Sequence, residues 1–442
     1  MASDAPVPRR SIAEDETDSA QADHDRVPIG GRITAIDAIR GVALLGILLL
    51  NIIGFALPDA AYLNPRAYGG WHGADLATYL VNFVFFDGKM RGLFSFLFGA
   101  STLLVIERSI AAGRDPAAVH FARMGWLLVF GLAHLWLIWR GDILTHYALV
   151  GMIAFAARKL NVARLVVFGG LLVLFQAMIE TPLPIAIGIR QQAIASAATP
   201  AEASAHRRAL AALSEGLAVP APGQLAREIA LHRGPYLPIL KQRFAEERMN
   251  PVIGLVFMGA ETLAYMLFGM AALRSGMLSG GWSAARYRRW LTVSWGIGLP
   301  VFVVIAAIQV RSGFDLFALA LTMPITVLAR PPMIVGWICL LSLILAGESR
   351  LRTRLVAVGR MAFTNYLMTS LICTTIFYGY GLGWYASLSR WQLYPIVAAV
   401  WAAILLWSPF WLARFRFGPF EWLWRSLARG KVQPIRGGVR NN

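Results

Sequence analysis

Ionisable and amide side chains set inside apolar sequence are where chemistry would have to start in this chain. An ionisable group at a bilayer centre costs roughly 2.5–3.5 kcal/mol to insert, so each one needs a partner or a hydrated cavity. Asp37 and Arg40 stand at i,i+3 and can pair on one helix face, either anchoring the helix at an interface or offering the arginine to an anion. Asn51 follows Arg40 by eleven residues. Its amide reads either as a helix–helix hydrogen bond or as a catalytic group. Asp87 and Arg91 are four apart, a spacing for a salt bridge or for the charged lining of a water-filled cavity. His134 precedes Asp142 by eight residues, and His146 follows it by four. A histidine oriented by a carboxylate is the usual arrangement of a general base, the alternative being an imidazole satisfied by a backbone carbonyl. His72, in Trp71-His72-Gly73, lies in a loop and either meets the same site or is solvated. Glu261 falls mid-run with no cation on its own segment, so it must be protonated, paired across helices or hydrated, as a substrate or proton site would be.

The elements that must hold these groups are membrane helices. Of the 442 residues 57% are hydrophobic and 15% charged, against about 25% charged in a soluble domain. That deficit excludes an ordinary soluble enzyme. Apolar runs near 41–58, 92–107, 124–139, 143–157, 163–180, 252–273, 290–310, 331–347, 362–382 and 392–413 predict about ten transmembrane helices in an all-α, polytopic bundle. The runs at 124–139 and 143–157 read as a tight hairpin. A single helix over 76–107 would be about 48 Å long, so part must lie on the surface, tilt or break. Residues 314–329, interrupted by Pro324, read as re-entrant or interfacial. With both termini in the cytoplasm, the predicted inner loops at 108–123, 158–164, 274–289 and 350–360 hold fourteen Arg and Lys. The outer connections hold five, Arg66, Arg140, Arg311, Arg330 and Arg390, which obeys the positive-inside rule.

The organisation follows. Residues 1–31 read as a disordered cytoplasmic tail, 32–180 as a five-helix membrane half and 181–250 as an extracytoplasmic helical insert. Residues 251–413 form a second membrane half, and 414–442 a basic amphipathic tail on the inner surface. The net charge of +17 is then mostly loop topology set against the lipid bilayer, and nucleic acid is not an expected partner. Cys339 and Cys373 sit in apolar segments as small hydrophobes. No metal is expected, and the sequence has no Walker A loop, nucleophile elbow, HExxH or kinase set, which counts against ATP-driven transport and zinc proteolysis.

Six stretches carry a resemblance. Ile36-Asp37-Ala38-Ile39-Arg40-Gly41 leading to Asn51-Ile52, Gly88-Lys89 leading to Leu93-Phe94-Ser95-Phe96-Leu97-Phe98-Gly99, and His134 leading to Gly141-Asp142-Ile143-Leu144 resemble the YeiB family of bacterial inner-membrane proteins. So, most specifically, do Gly359-Arg360-Met361-Ala362-Phe363-Thr364-Asn365-Tyr366-Leu367, Phe377-Tyr378-Gly379-Tyr380-Gly381-Leu382-Gly383 and Phe415-Arg416-Phe417-Gly418-Pro419-Phe420-Glu421-Trp422. The first half is distantly similar to membrane acyltransferases, many of which follow a first-helix Arg with ten residues and a His. Here the His position holds Asn51, as in the glucosaminide acetyltransferase branch, where a His of the next outer loop acts; that implies His72, with His134 the rival base. The resemblance implies transfer of an acyl group from acyl-CoA, such as acetyl-CoA, to an extracytoplasmic hydroxyl or amine of a small molecule or glycan. Arg40 and Arg360 would meet the donor phosphates, and Asn51 would hydrogen-bond the thioester oxygen. A proton-coupled secondary transporter using Glu261 or Asp87, and a non-catalytic scaffold, are the alternatives.

Overall fold

The computed structural model describes residues 34–436, Glu215 excepted. The expected tail at 1–31 and the last six residues of the basic tail lie outside these. Long runs of Leu, Ile, Val, Phe and Ala satisfy every backbone group internally as helices, and the chain is built from them. In order they are α1 (Thr34–Ala56), α2 (Gly73–Phe85), α3 (Lys89–Ala111), α4 (Pro116–Leu137), α5 (Leu144–Ala154), α6 (Val162–Glu180), α7 (Pro182–Ala195), α8 (Pro200–Leu213) and α9 (Pro222–His232). Then come α10 (Tyr236–Glu246), α11 (Asn250–Arg274), α12 (Ala284–Arg311), α13 (Leu316–Ile344), α14 (Arg350–Arg360), α15 (Ala362–Phe377), α16 (Tyr394–Leu412) and α17 (Pro419–Ala428). Among the described residues no strand forms, only an isolated bridge between Phe415 and Arg436.

Eight segments are long and apolar enough to cross a membrane, or nine when α14 and α15, bent by 83°, count as one. The sequence predicted ten. The difference lies in the 143–157 run, where α5 is 11 residues followed by a five-residue 3-10 helix, Phe155–Lys159. Together they span about 26 Å, shorter than the other segments. A correction concerns 314–329. This stretch does not dip separately but continues into 331–347 as α13, 29 residues long despite Pro324, Pro331 and Pro332. The 76–107 stretch does break, at 86–88. There Gly88 takes φ 69, where a side chain is strained, and lies against Arg330.

Helix pairs close where glycines remove bulk. A Cβ on Gly99 or Gly269 would strike the backbone of Met266 or Phe96, so α3 and α11 cross with their backbones touching. Gly41 and Gly359 do the same for α1 and α14. Small residues are how membrane helices gain close packing without a hydrophobic drive between them. α1 thus packs along α14 and α15, and α11 along α3, α5 and α6.

The bend between α14 and α15 is held by side chains. The Glu421 carboxylate, from the first turn of α17, accepts from the N–H groups of Phe363 (2.7 Å) and Thr364 (3.0 Å) and from the Thr364 hydroxyl. The Thr364 Oγ1 in turn accepts from the N–H of Phe420 (3.1 Å), so each helix start caps the other. Asn365 donates to the Val358 carbonyl and accepts from Trp407 Nε1 (3.0 Å).

The insert, α7 to α10, clasps the end of the bundle that carries Asn51. Asn64 donates to the Leu217 carbonyl, Gly379 N–H to the His232 carbonyl, and Tyr236 to the Leu137 carbonyl. Glu228 accepts from Asp59 N–H and from the Tyr385 hydroxyl. His232 stacks on Tyr385 at 4.4 Å, with Nδ1 2.9 Å from the Glu228 carbonyl. Burial pushes its imidazole down to about 4, and Arg140 and Arg243 push the same way against Glu228. Once undocked, this group titrates near 6.5. Acid therefore favours the undocked form: the clasp is at full strength above pH 6.5 and loses up to about 1.4 kcal/mol per pH unit as pH falls towards 4. Limited proteolysis of the insert should accelerate between pH 7.5 and 5, and His232→Phe should flatten that dependence.

Candidate functional site: two cavities sharing one wall

Eleven residues are close to three helical turns, so Arg40 and Asn51 lie on one face of α1, about 16 Å apart along its axis. Leu44 and Ile47 fill the stripe between them. Arg40, Leu44 and Ile47 line a cavity of about 260 Å³, and Ile47, Asn51 and Gly54 line a second one of about 690 Å³.

The smaller cavity is lined by arginines and aromatic rings. Arg40, Arg108, Arg123, Arg360 and Arg425 line it, against two carboxylates, Asp37 and Glu421. Asp37 pairs with Arg40 at 2.9 Å, as the i,i+3 spacing predicts, and Glu421 is committed to the α15 cap. Arg40 also donates to Ser101 Oγ (2.7 Å), and Arg360 donates to the Arg416 carbonyl (3.2 Å). The guanidinium of Arg123 stacks on Trp424 at 4.1 Å. Among the described residues, five guanidiniums against two carboxylates make the lining one that favours an anion.

Ile47, Ile143 and Tyr147 line both cavities and so form the wall between them. Tyr147 is 1% exposed. Its ring stacks on Phe94 (5.8 Å) and Phe98 (5.3 Å). Its hydroxyl meets Ser95 Oγ at 3.0 Å and donates to the Arg91 carbonyl at 3.1 Å.

Beyond the wall, the wide cavity gathers Asn51, Asp87, Arg91, Asp142, His146 and Glu261. His146, from the first turn of α5, has Nε2 2.9 Å from Thr262 Oγ1, while its buried Nδ1 has no hydrogen-bond partner among the described residues. Arg91 also donates to Thr262 Oγ1 (3.3 Å). His134 does pair with Asp142, Nδ1 to Oδ1 at 2.9 Å, but it lines neither cavity. The second Asp142 oxygen accepts from Thr145 N–H at 2.7 Å, so the dyad holds the first turn of the helix that presents His146. His72 is exposed, its ring tilted against Trp71 at 3.9 Å and outside both cavities.

Glu261 is paired across helices. Its carboxylate takes Arg91 of α3, Arg330 of α13 (2.8 Å) and the Tyr265 hydroxyl (2.7 Å). Arg91 thus turns to Glu261 rather than to Asp87, whose carboxylate instead faces the Tyr62 hydroxyl at 3.4 Å. Arg330 also corrects the topology, since it is not in an outer connection but within α13. The signal was in the sequence, a lone arginine before two prolines within an apolar stretch. Thr262, Tyr147, Arg108, Arg123 and Arg425 were not singled out. Neutral residues inside an apolar helix carry no mark, and the arginines read as loop charge.

Residues 272–431 match the family model described as Protein of unknown function (DUF418). The chain is 34% identical over 408 residues to the uncharacterized protein YeiB of Escherichia coli (strain K12), covering 91% of this chain and 98% of that one. It is 32% identical over 418 residues to the uncharacterized protein YxaH of Bacillus subtilis (strain 168), covering 91% and 96%. No solved structure matches. Identity above 30% across nine tenths of the sequence, in two relatives that are themselves covered almost whole, places this chain in the family of YeiB and YxaH, to which it belongs.

Proposed function

We propose that this protein is a membrane acyltransferase. It moves an acyl group from acyl-CoA, held in the basic cavity, to a hydroxyl or amine acceptor in the wide cavity. One observation carries the reading: two cavities back onto a wall of three residues, with five arginines on one side and His146 and Asn51 on the other. The basic cavity lies among the predicted inner loops, which supports a donor that enters from the cytoplasm and an acceptor met from outside.

Arg40, Arg360 and their neighbours meet the donor phosphates as charge-assisted donors. The thioester carbonyl reaches past Ile47 towards Asn51, one turn further along α1, whose amide N–H donates to the carbonyl oxygen as negative charge develops there. Thr262 Oγ1 accepts from Arg91 and from His146 Nε2–H, which leaves the Nδ1 lone pair as the proton acceptor. The acceptor oxygen or nitrogen bonds to the acyl carbon, the carbon–sulfur bond breaks, and the acceptor proton passes through His146 to leave with the thiol. The geometry favours His146 over His134 as the base, because a base must reach the proton it takes. Protein purified in nanodiscs, given radiolabelled acetyl-CoA and a panel of glycan and amine acceptors, tests this by label transfer and stoichiometric thiol release. Two cavities back to back also suit an occluded transporter, for which solute uptake into proteoliposomes without thiol release is the expected result.

A further inference from the structure

If the carbonyl of an acyl-CoA is to reach Asn51 from the basic cavity, its alkyl end must go first. The alkyl group crosses the wall before the carbonyl arrives, and the wall is the part of the route that both cavities share. Its parts come from different helices and are firmly held. Ile47 is fixed on α1 between Leu44 and Asn51. Ile143 precedes α5, with its N–H bonded to the Tyr366 hydroxyl at 3.3 Å. Tyr147 stacks on two phenylalanine rings of α3 and is tied by its hydroxyl to the same helix. A side chain packed along its ring and held at its tip does not swing aside at low cost.

We propose that Ile47, Ile143 and Tyr147 form a size-selective aperture that admits a short, unbranched acyl group and rejects longer ones, so that they determine donor specificity. This rests on the acyl-transfer reading. The aperture leaves the chemistry unchanged: the acyl carbon exchanges its sulfur for the acceptor oxygen or nitrogen, and the acceptor proton leaves with the thiol. Selectivity resides in which acyl groups bring their carbonyl to Asn51. A single methylene in a fitted apolar passage is worth about 10- to 200-fold in kcat/KM. The wide cavity beyond, at about 690 Å³, imposes no comparable limit.

The experiment compares acetyl-, propionyl-, butyryl- and isobutyryl-CoA by thiol release, with the acceptor panel present, for the native protein, Ile47→Ala, Ile143→Ala and Ile47→Phe. All four proteins are first checked for a monodisperse profile and an unfolding transition. The native protein should prefer acetyl- over butyryl-CoA by at least about ten-fold. Both alanine variants should raise the butyryl-to-acetyl ratio by a similar factor, and Ile47→Phe should lower the propionyl-to-acetyl ratio. Thiol release with a ratio that none of the three variants moves overturns the aperture while leaving acyl transfer standing. No thiol release from any donor, with no label transferred, overturns acyl transfer and the aperture with it.

Discussion

His146→Ala should lower thiol release from acetyl-CoA by roughly 10²- to 10⁴-fold, the usual contribution of a positioned general base. Half-saturation by the donor should move little, because the donor's phosphates are met by arginines on the other side of the wall. The loss would therefore fall on kcat. Thr262 offers the finer test, since it touches His146 and not the reacting atoms. Thr262→Val removes the oxygen that accepts from Nε2–H, and one net hydrogen bond is worth about 0.5–1.5 kcal/mol, so a fall of roughly two- to twelve-fold in kcat is expected. Thr262→Ser keeps the oxygen and should restore the native rate, which a purely packing role for Thr262 would not produce. His134→Ala acts one step further back, through Asp142 and the first turn of α5, and its loss should be smaller than that of His146→Ala and accompanied by a lower unfolding temperature. Transfer that survives His146→Ala but disappears with His134→Ala or His72→Ala would overturn the assignment of the base.

What could be read from the sequence depended on how local each signal was. The class of fold followed from run lengths, because twenty apolar residues have few other uses. The Asp37–Arg40 pair and the His134–Asp142 pair were legible because both partners lie within one helix or one hairpin. Glu261 was marked as needing a partner, yet the partners come from α3 and α13, 170 and 69 residues away. Asp87–Arg91 had the right spacing and the wrong outcome, since Asp87 falls in the 86–88 break rather than on α3, and Arg91 turns to the buried carboxylate of Glu261 across the interface. The α13 error has the same root: prolines argue for a break, but helix packing in lipid satisfies the freed carbonyls and keeps the helix running. Least legible was the wall. Ile47, Ile143 and Tyr147 look like ordinary membrane residues until two cavities are found on either side of them.

The Glu261 cluster separates a structural from a transport role. Glu261→Leu would leave two part-buried guanidiniums without a carboxylate, and breaking a buried ion pair from one side costs at most about 3–5 kcal/mol. That single variant should lower the unfolding temperature further than His134→Ala or Thr262→Val, and give a low yield of folded protein. Replacing all three partners, Arg91→Met with Glu261→Leu and Arg330→Met, removes the charges together and should recover most of that stability, since well-packed apolar triads often match or exceed the ion pairs they replace. The readout is thermal unfolding in nanodiscs alongside thiol release. Recovery of both in the triple variant would make the cluster a clamp joining α3, α11 and α13, and nothing more. Recovery of stability without thiol release would make the charges part of the acceptor site, which they line. A carrier that used Glu261 as its proton site requires a third pattern: Glu261→Gln would stay folded and lose pH-driven uptake. Two arginines and a tyrosine hydroxyl on one carboxylate argue against that pattern, because a carrier's proton site has to exchange its partners in every cycle, whereas Glu261 is committed to three groups on three helices that it holds together.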